Sequence, residues 1–237
     1  ETICKKIKSL EIQGASAVAK KGMEALELRV KEKKPKNKGK AIEILEEARQ
    51  EISSLRPTEP LLRNGMHFII QKASKQENLQ KLIKSLAEAN NYFFNLIDEG
   101  KRKIGKVGAR RIKGTIFTHC HSSTAMEIFR KSKDDIEKIY CTETRPRYQG
   151  RLTAQELLDE GFETTMVVDS AARHFMKKID YVVVGADVIT SEGNIINKIG
   201  TAAIALAAHE ARIPLYVATN LLKFNPLTIE GAVEEIE

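Results

Sequence analysis

The chain has no tryptophan, and aromatic residues make up only 5% of its 237 positions. That leaves little material for stacking nucleic-acid bases. No apolar run reaches 18 residues free of charge, which argues against a membrane span. The opening ETICKKIKSL is charged throughout and has no secretory core. The three cysteines, Cys4, Cys120 and Cys141, are too few and too irregular for a disulfide framework. They fit a reducing cytoplasm. G-x-G-x-x-G after a first strand is missing, and so is G-x-x-x-x-G-K-[ST], so neither a dinucleotide site nor a P-loop is supported.

What the chain does have is positive charge. The formal net charge is +7, a balance suited to phosphorylated small molecules, to anionic surfaces, or simply to solubility. Part of it lies in KEKKPKNKGK at 31–40, which reads as a solvated turn.

Two textures divide the sequence. Up to about residue 108 apolar positions recur every three or four residues, as in AVAKKGMEALELRVKEK and AIEILEEARQEISSL, and again from NLQKLIKSL onward. Pro57 and Pro60 interrupt that pattern. From about 109 the chain alternates short apolar runs with helical segments. The runs are GTIFTHC, EKIYCTET, TTMVVDS, YVVVGAD and PLYVAT. This predicts βαβ units and a parallel sheet covered on both faces. The expected fold is therefore α/β: a helical N-terminal domain over 1–108 and a Rossmann-like, doubly wound parallel-sheet domain over 109–237.

Open parallel sheets bind ligands beyond the carboxyl ends of their strands. Those ends read Cys120, Glu143 and Thr144, Asp169 and Ser170, Asp187, then Thr219 and Asn220. Cys120 lies in THCHSS, just before a helix whose start we expect at Thr124, with Glu127 completing a capping box. A helix start lowers a thiol pKa and attracts phosphate, and Ser122, Ser123 and Thr124 add hydroxyls. Two rivals stand beside that reading. One is a metal held by His119 and His121, although strand alternation would turn both away from Cys120 and the spacing fits no zinc pattern. The other is a Cys–His nucleophile using His174. Asp187, ending an apolar run, reads either as a general acid or as a strand-end cap. Arg145, Arg147, Asn197, Lys198 and Lys223 are candidate anion holders. Gln13–Ser16 places a Gly where backbone can approach a ligand closely, and Arg56 is a weaker candidate.

THCHSS, TETRPRYQGRLTAQEL, VVDSAARHFM, VVGADVIT and NIINKIGT together resemble the archaeal ribose-1,5-bisphosphate isomerases. These are grouped with methylthioribose-1-phosphate isomerases and with initiation-factor 2B regulatory subunits. The resemblance is strong over 109–225, fair over 7–30 and thin over 31–108. It implies conversion of ribose 1,5-bisphosphate to ribulose 1,5-bisphosphate in nucleoside-monophosphate breakdown. It implies no cofactor and no metal, and a homo-oligomer of dimer units, with a hexamer among the options. It places catalytic roles on Cys120 and Asp187. Substrate contacts fall on Gln13, Gly14, Ala15, Ser16, Arg56, Ser122, Ser123, Thr124, Asn197, Lys198 and Lys223.

Two alternatives belong to the same group: a non-enzymatic regulatory subunit, and an isomerase for another 1-phosphosugar such as methylthioribose 1-phosphate. A regulatory subunit needs neither Cys120 nor Asp187. The isomerases commonly carry Arg where this chain has Gln13, a change worth about 1–3 kcal/mol of phosphate binding. The chain also stops before the family's last strands and helix.

Overall fold

The computed structural model describes residues 2–226 and Thr228. The chain folds into two units, each with its own interior. Among the described residues, one holds the chain up to Glu99, Thr190–Glu192 and the segment from Leu221; the other holds Gly100–Ile189 and Gly193–Asn220. The division falls inside the long helix α5 (Leu79–Ala109), whose carboxyl end lies at the expected boundary near 108.

In the first unit, α1 (Thr2–Lys8), α2 (Ala15–Lys33), α3 (Lys38–Leu55) and α4 (Pro60–Ser74) pack with the first part of α5. Val18, Met23, Leu26, Leu45, Leu62, Met66 and Phe93 form a continuous core, each under 4% exposed. The turn expected within 31–40 is short. Lys34 ends α2 in the left-handed region, and the Asn37 side chain caps α3 by accepting from Lys40 N–H at 2.9 Å. Helix α4 escaped the sequence reading, which treated Pro60 as a break. Proline instead sits at the first helical position, where its missing N–H has no intrahelical acceptor to lose.

The second unit contains all five expected strands. They are β1 (Gly114–Thr118), β2 (Ile136–Thr142), β3 (Thr164–Val167), β4 (Tyr181–Val184) and β7 (Leu215–Val217). All pair in parallel, in the order β3-β2-β1-β4-β7. Side-chain alternation splits the sheet between two cores. Ile116 and Val183 pack with α6 (Ser123–Lys131) residues Ile128 and Phe129. Phe117, Val182 and Val184 pack on the other face with Met176 and with Ile204 and Ala208 of α9 (Thr201–Ala211). Helices on both faces make the sheet doubly wound.

Some details differ from expectation. AARHFMKK gives only one α-turn, α8 (Ala172–Phe175), flanked by 3-10 turns. A two-stranded hairpin, β5 (Val188–Ile189) with β6 (Ile195–Ile196), follows β4, and strands of two residues are too short to show a period. Helix α7 (Gln149–Asp159) starts hard against the end of β2. No helix among the described residues is long and apolar enough to cross a membrane.

Candidate active site

The strand order brings β1 and β4 side by side, with Phe117 opposite Val182. Successive crossovers leave β1 toward β2 and later return to its other edge at β4. This pair is therefore the topological switch point, where open sheets form a crevice at their carboxyl ends. Cys120 follows β1 and Asp187 follows β4. The Asp187 carboxylate acts electrostatically on the Cys120 thiol, and Asp187 N–H is held by the hairpin carbonyl of Ile196 at 2.9 Å. The two residues singled out for chemistry thus follow the carboxyl ends of adjacent strands, near enough for the carboxylate's charge to act on the thiol.

Strand β1 ends at Thr118, two residues earlier than expected. Cys120 itself lies in the left-handed region, φ 64°, a conformation that costs an ordinary residue about 1–2 kcal/mol. Strand alternation therefore does not apply to 119–121, and the argument that both histidines point away from the sulfur fails for that reason. His119 is 1% exposed. Its Nε2 lies 2.8 Å from the Ile199 carbonyl and its Nδ1 2.5 Å from Thr142 Oγ1. His121 Nδ1 is 3.0 Å from Thr153 Oγ1, with Nε2 3.6 Å from Glu156 Oε2. Burial lowers the pKa of both imidazoles. The Ile199 carbonyl and Asp169 oppose that shift at His119, and Glu156 opposes it at His121. His174, the possible base of a Cys–His pair, is exposed and sets its ring edge-on to Phe175.

The thiol pKa runs opposite to expectation. Burial pushes Cys120 up to about 11. The His121 backbone N–H and the Lys198 ammonium pull it down, while Asp187 and Asp169 add to the rise. A helix start shows in the sequence; the depth at which the sulfur sits does not. The cap is also displaced. Ser122, not Thr124, caps α6, accepting from Ala125 N–H at 3.3 Å, so Glu127 plays no part in a capping box. Thr124 donates its hydroxyl to the Ala218 carbonyl at 2.6 Å, and Ser122 donates to Thr124 Oγ1 at 2.9 Å. Both hydroxyl hydrogens are thereby committed. What the segment 122–124 can offer an anion is the half-buried Ser123 hydroxyl and the N–H groups of the first turn, which helix geometry leaves without intrahelical acceptors.

A second helix start lies against His119. Asn197 donates to Thr201 Oγ1 at 3.0 Å, and Thr201 donates to the Lys198 carbonyl at 2.7 Å, shaping the entry to α9. Gly200 caps that helix at φ 100°, and a Cβ there would lie 3.0 Å from the His119 ring. Only glycine satisfies both demands. Lys198 is placed so that its charge acts on both His119 and Cys120.

The sequence offered Thr144 and Asp169 only as strand-end residues and did not single out Thr142 or Thr153, which together support the Cys120 segment. Asp169 accepts from the N–H groups of Thr144 at 2.9 Å and Arg145 at 2.7 Å, fixing the turn after β2. Thr142, Thr144 and Thr153 bond to the 119–121 segment. Arg145 and Arg147 are exposed, and Arg145 bonds to the Tyr148 hydroxyl.

The remaining candidates belong to the helical unit. Gly14, at φ 82°, caps α2 without a side-chain bond, and the exposed Gln13 precedes it. Ala15 and Ser16 open the first turn of α2. Arg56 is paired with Glu59 at 3.0 Å. Lys223 is 8% exposed. It ends a 3-10 turn that Asn64 holds by donating to the carbonyls of Leu222 and Phe224, at 2.8 and 2.9 Å.

Known proteins resemble this chain in sequence and in shape. A ribose 1,5-bisphosphate isomerase of Archaeoglobus fulgidus is 40% identical over 98% of this chain and 74% of its own length. A Pyrococcus horikoshii protein named as a putative translation initiation factor eIF-2B subunit 2-like is 34% identical over 99% of this chain and 83% of its own. The crystal structure of the Pyrococcus horikoshii translation initiation factor eIF-2B superposes with a TM-score of 0.88 at 32% identity, covering 99% of this chain and 83% of that one. The family model described as the initiation factor 2 subunit family matches residues 11–237. With that match and those relatives, the chain belongs to the initiation factor 2 subunit family.

Proposed function

We propose that this protein is an aldose–ketose isomerase that converts ribose 1,5-bisphosphate to ribulose 1,5-bisphosphate, with Cys120 and Asp187 as its hydrogen-transfer pair. Relatives bearing that isomerase name, 40% identical in Archaeoglobus fulgidus and in Methanocaldococcus jannaschii, support the activity. The observation that carries it is the convergence of a thiol, a carboxyl and the Lys198 ammonium where β1 and β4 end.

The substrate is a closed ring bearing phosphate on carbon 1. Its isomerisation needs the ring opened and a hydrogen moved from carbon 2 to carbon 1. Asp187 protonates the ring oxygen; Cys120, as thiolate, takes the proton from carbon 2, giving an enol phosphate across C1–C2. The resulting thiol returns that proton to carbon 1 while the Asp187 carboxylate takes the carbon-2 hydroxyl proton, leaving the ketone. One phosphate sits on the N–H groups at the start of α6, with Asn197 and Lys198 beside the α9 start. The substrate contacts that the resemblance places on Gln13–Ser16, Arg56 and Lys223 belong to the same proposal, as does assembly into a homo-oligomer of dimer units.

A thiol with a pKa of about 11 must lose its proton before the sulfur can act as a base. Asp187 is the acceptor in this scheme, so before the sugar reacts the pair holds one proton across this pH range and becomes thiolate plus carboxylic acid without exchange with solvent. The expected kcat/KM is therefore level from about pH 7 to about pH 10. A thiolate formed by loss to solvent would instead raise kcat/KM about tenfold per pH unit. Melting controls accompany the alkaline points, because burial carries a stability cost there. Folded Cys120 and Cys141 stay protonated up to about 11, whereas their ordinary value is 9.0. Stability is untouched below that ordinary value and is lost as pH rises toward the folded one.

The family also supplies a regulatory reading, favoured by the 34% identical relative with an initiation-factor name. Incubation with ribose 1,5-bisphosphate decides between them. The isomerase yields ribulose 1,5-bisphosphate, and saturating substrate at about 100 times Kd stabilises the fold by about 2.7 kcal/mol. A protein that neither turns over nor is stabilised by any pentose phosphate overturns the proposal. Selective turnover of methylthioribose 1-phosphate would replace the substrate but keep the chemistry.

A further inference from the structure

The histidines beside Cys120 are used by neither the acid nor the base step, yet their bonds have a forced direction. A carbonyl only accepts, so His119 Nε2 donates to Ile199 O over 2.8 Å. In the neutral ring Nδ1 then accepts, and Thr142 Oγ1 donates to it over 2.5 Å. A hydroxyl has one hydrogen, so Thr142 Oγ1 must accept from Thr144 Oγ1, 3.2 Å away. Thr144 Oγ1 in turn accepts from Cys120 N–H at 3.0 Å. The other side follows the same logic. Thr153 Oγ1 donates to the Cys120 carbonyl at 2.8 Å, so it accepts from His121 Nδ1–H at 3.0 Å. Both main-chain polar groups of Cys120 are therefore held by threonines, and each line of threonines ends on a neighbouring imidazole.

We propose that His119 and His121 are positioning residues: through Thr142–Thr144 and through Thr153 they clamp Cys120 N–H and C=O, holding its left-handed backbone and aiming the sulfur at Asp187 and Lys198. His119 has a second effect. Its bond to Ile199 ties down the segment that carries Lys198, so one ring sets both the sulfur and the ammonium facing it. Asp169 braces the relay by bonding Thr144 N–H, which holds Thr144 in its own left-handed conformation, φ 61°. Charged groups near the rings are Asp169 and Lys198 at His119, and Glu156, Arg130 and Lys101 at His121. Neither relay reverses if His121 gains a proton, because its Nδ1 carries hydrogen in both forms.

The catalytic consequence rests on the isomerase reading; the geometric one does not, and the test separates them. Thr144→Val and Thr153→Val keep shape and remove the hydroxyl, while Thr144→Ser and Thr153→Ser retain it. In the full chain the valine variants are expected to lower kcat about tenfold or more with KM within about twofold, and the serine variants to restore it. Iodoacetamide labelling of Cys120, read by mass spectrometry at about pH 8, needs no substrate. It should accelerate about tenfold in the valine variants, as the sulfur leaves its half-buried setting and ionises more readily. Valine variants that match wild type in labelling and turnover would overturn the proposal, as would serine variants as impaired as valine ones. If Thr144→Val fails to fold, Thr153→Val decides. A wild type without turnover whose valine variants still label faster would sink the isomerase reading and leave the clamp standing.

Discussion

Replacing Cys120 by Ser, or Asp187 by Asn, should lower kcat/KM on ribose 1,5-bisphosphate about a thousandfold or more, with the melting temperature within about 2 °C of wild type. Both substitutions change the chemistry at nearly constant shape. Serine keeps the size of cysteine and its backbone bonds to Thr144 and Thr153, but a hydroxyl is far too weak an acid to yield the base. Asparagine keeps the outline of aspartate and the Ile196 bond to its N–H, but cannot take up and release the proton that the thiol gives up. The two losses should not add, because both residues handle the same proton. A double variant no worse than either single one is the expected result. Either single variant with activity near wild type, measured by ribulose 1,5-bisphosphate formation, would remove that residue from the mechanism.

The second large effect concerns stability. Gly150 opens α7 against the end of β2, where a Cβ would fall 1.7 Å from the Thr142 carbonyl oxygen and 2.8 Å from its carbon. Those are backbone atoms, fixed by the pairing of β2 with β1 and β3, so no side chain can swing aside. Gly150→Ala should cost about 3 kcal/mol or more, lowering the melting temperature by about 10 °C in a chain of this size. Activity should fall with it, since the displaced carbonyl belongs to the first threonine of the relay to Cys120. Circular dichroism melts read the effect. A variant melting within about 2 °C of wild type would show that α7 can back away from the sheet.

Much of this was legible in the sequence because the strands are short, apolar and end in polar residues. Cys120 and Asp187 stood out by that ending alone. The adjacency of their strands did not, because nothing local says that β1 neighbours β4. Helix α4 was lost to two prolines whose effect depends on whether they fall inside a helix or at its first position. The thiol was misjudged in a similar way. THCHSS advertises a helix start, whereas the burial that dominates the sulfur comes from distant segments. The relay was invisible for a related reason. Thr142, Thr144 and Thr153 are ordinary residues in their own neighbourhoods and acquire a role only when β2 lies beside β1. The resemblance implies the proposed pair, and the geometry shows what holds the Cys120 backbone.

The most direct test of the account is a crystal structure of the Cys120→Ser protein with ribose 1,5-bisphosphate bound. The account predicts the sugar at the carboxyl ends of β1 and β4, with a phosphate on the first turn of α6. It places the serine oxygen and the Asp187 carboxyl each within about 4 Å of the C1–C2 edge or ring oxygen, close to the hydrogen-bond reach that proton transfer needs. A sugar bound elsewhere, or one whose C1–C2 bond lies about 10 Å from either side chain, would contradict it.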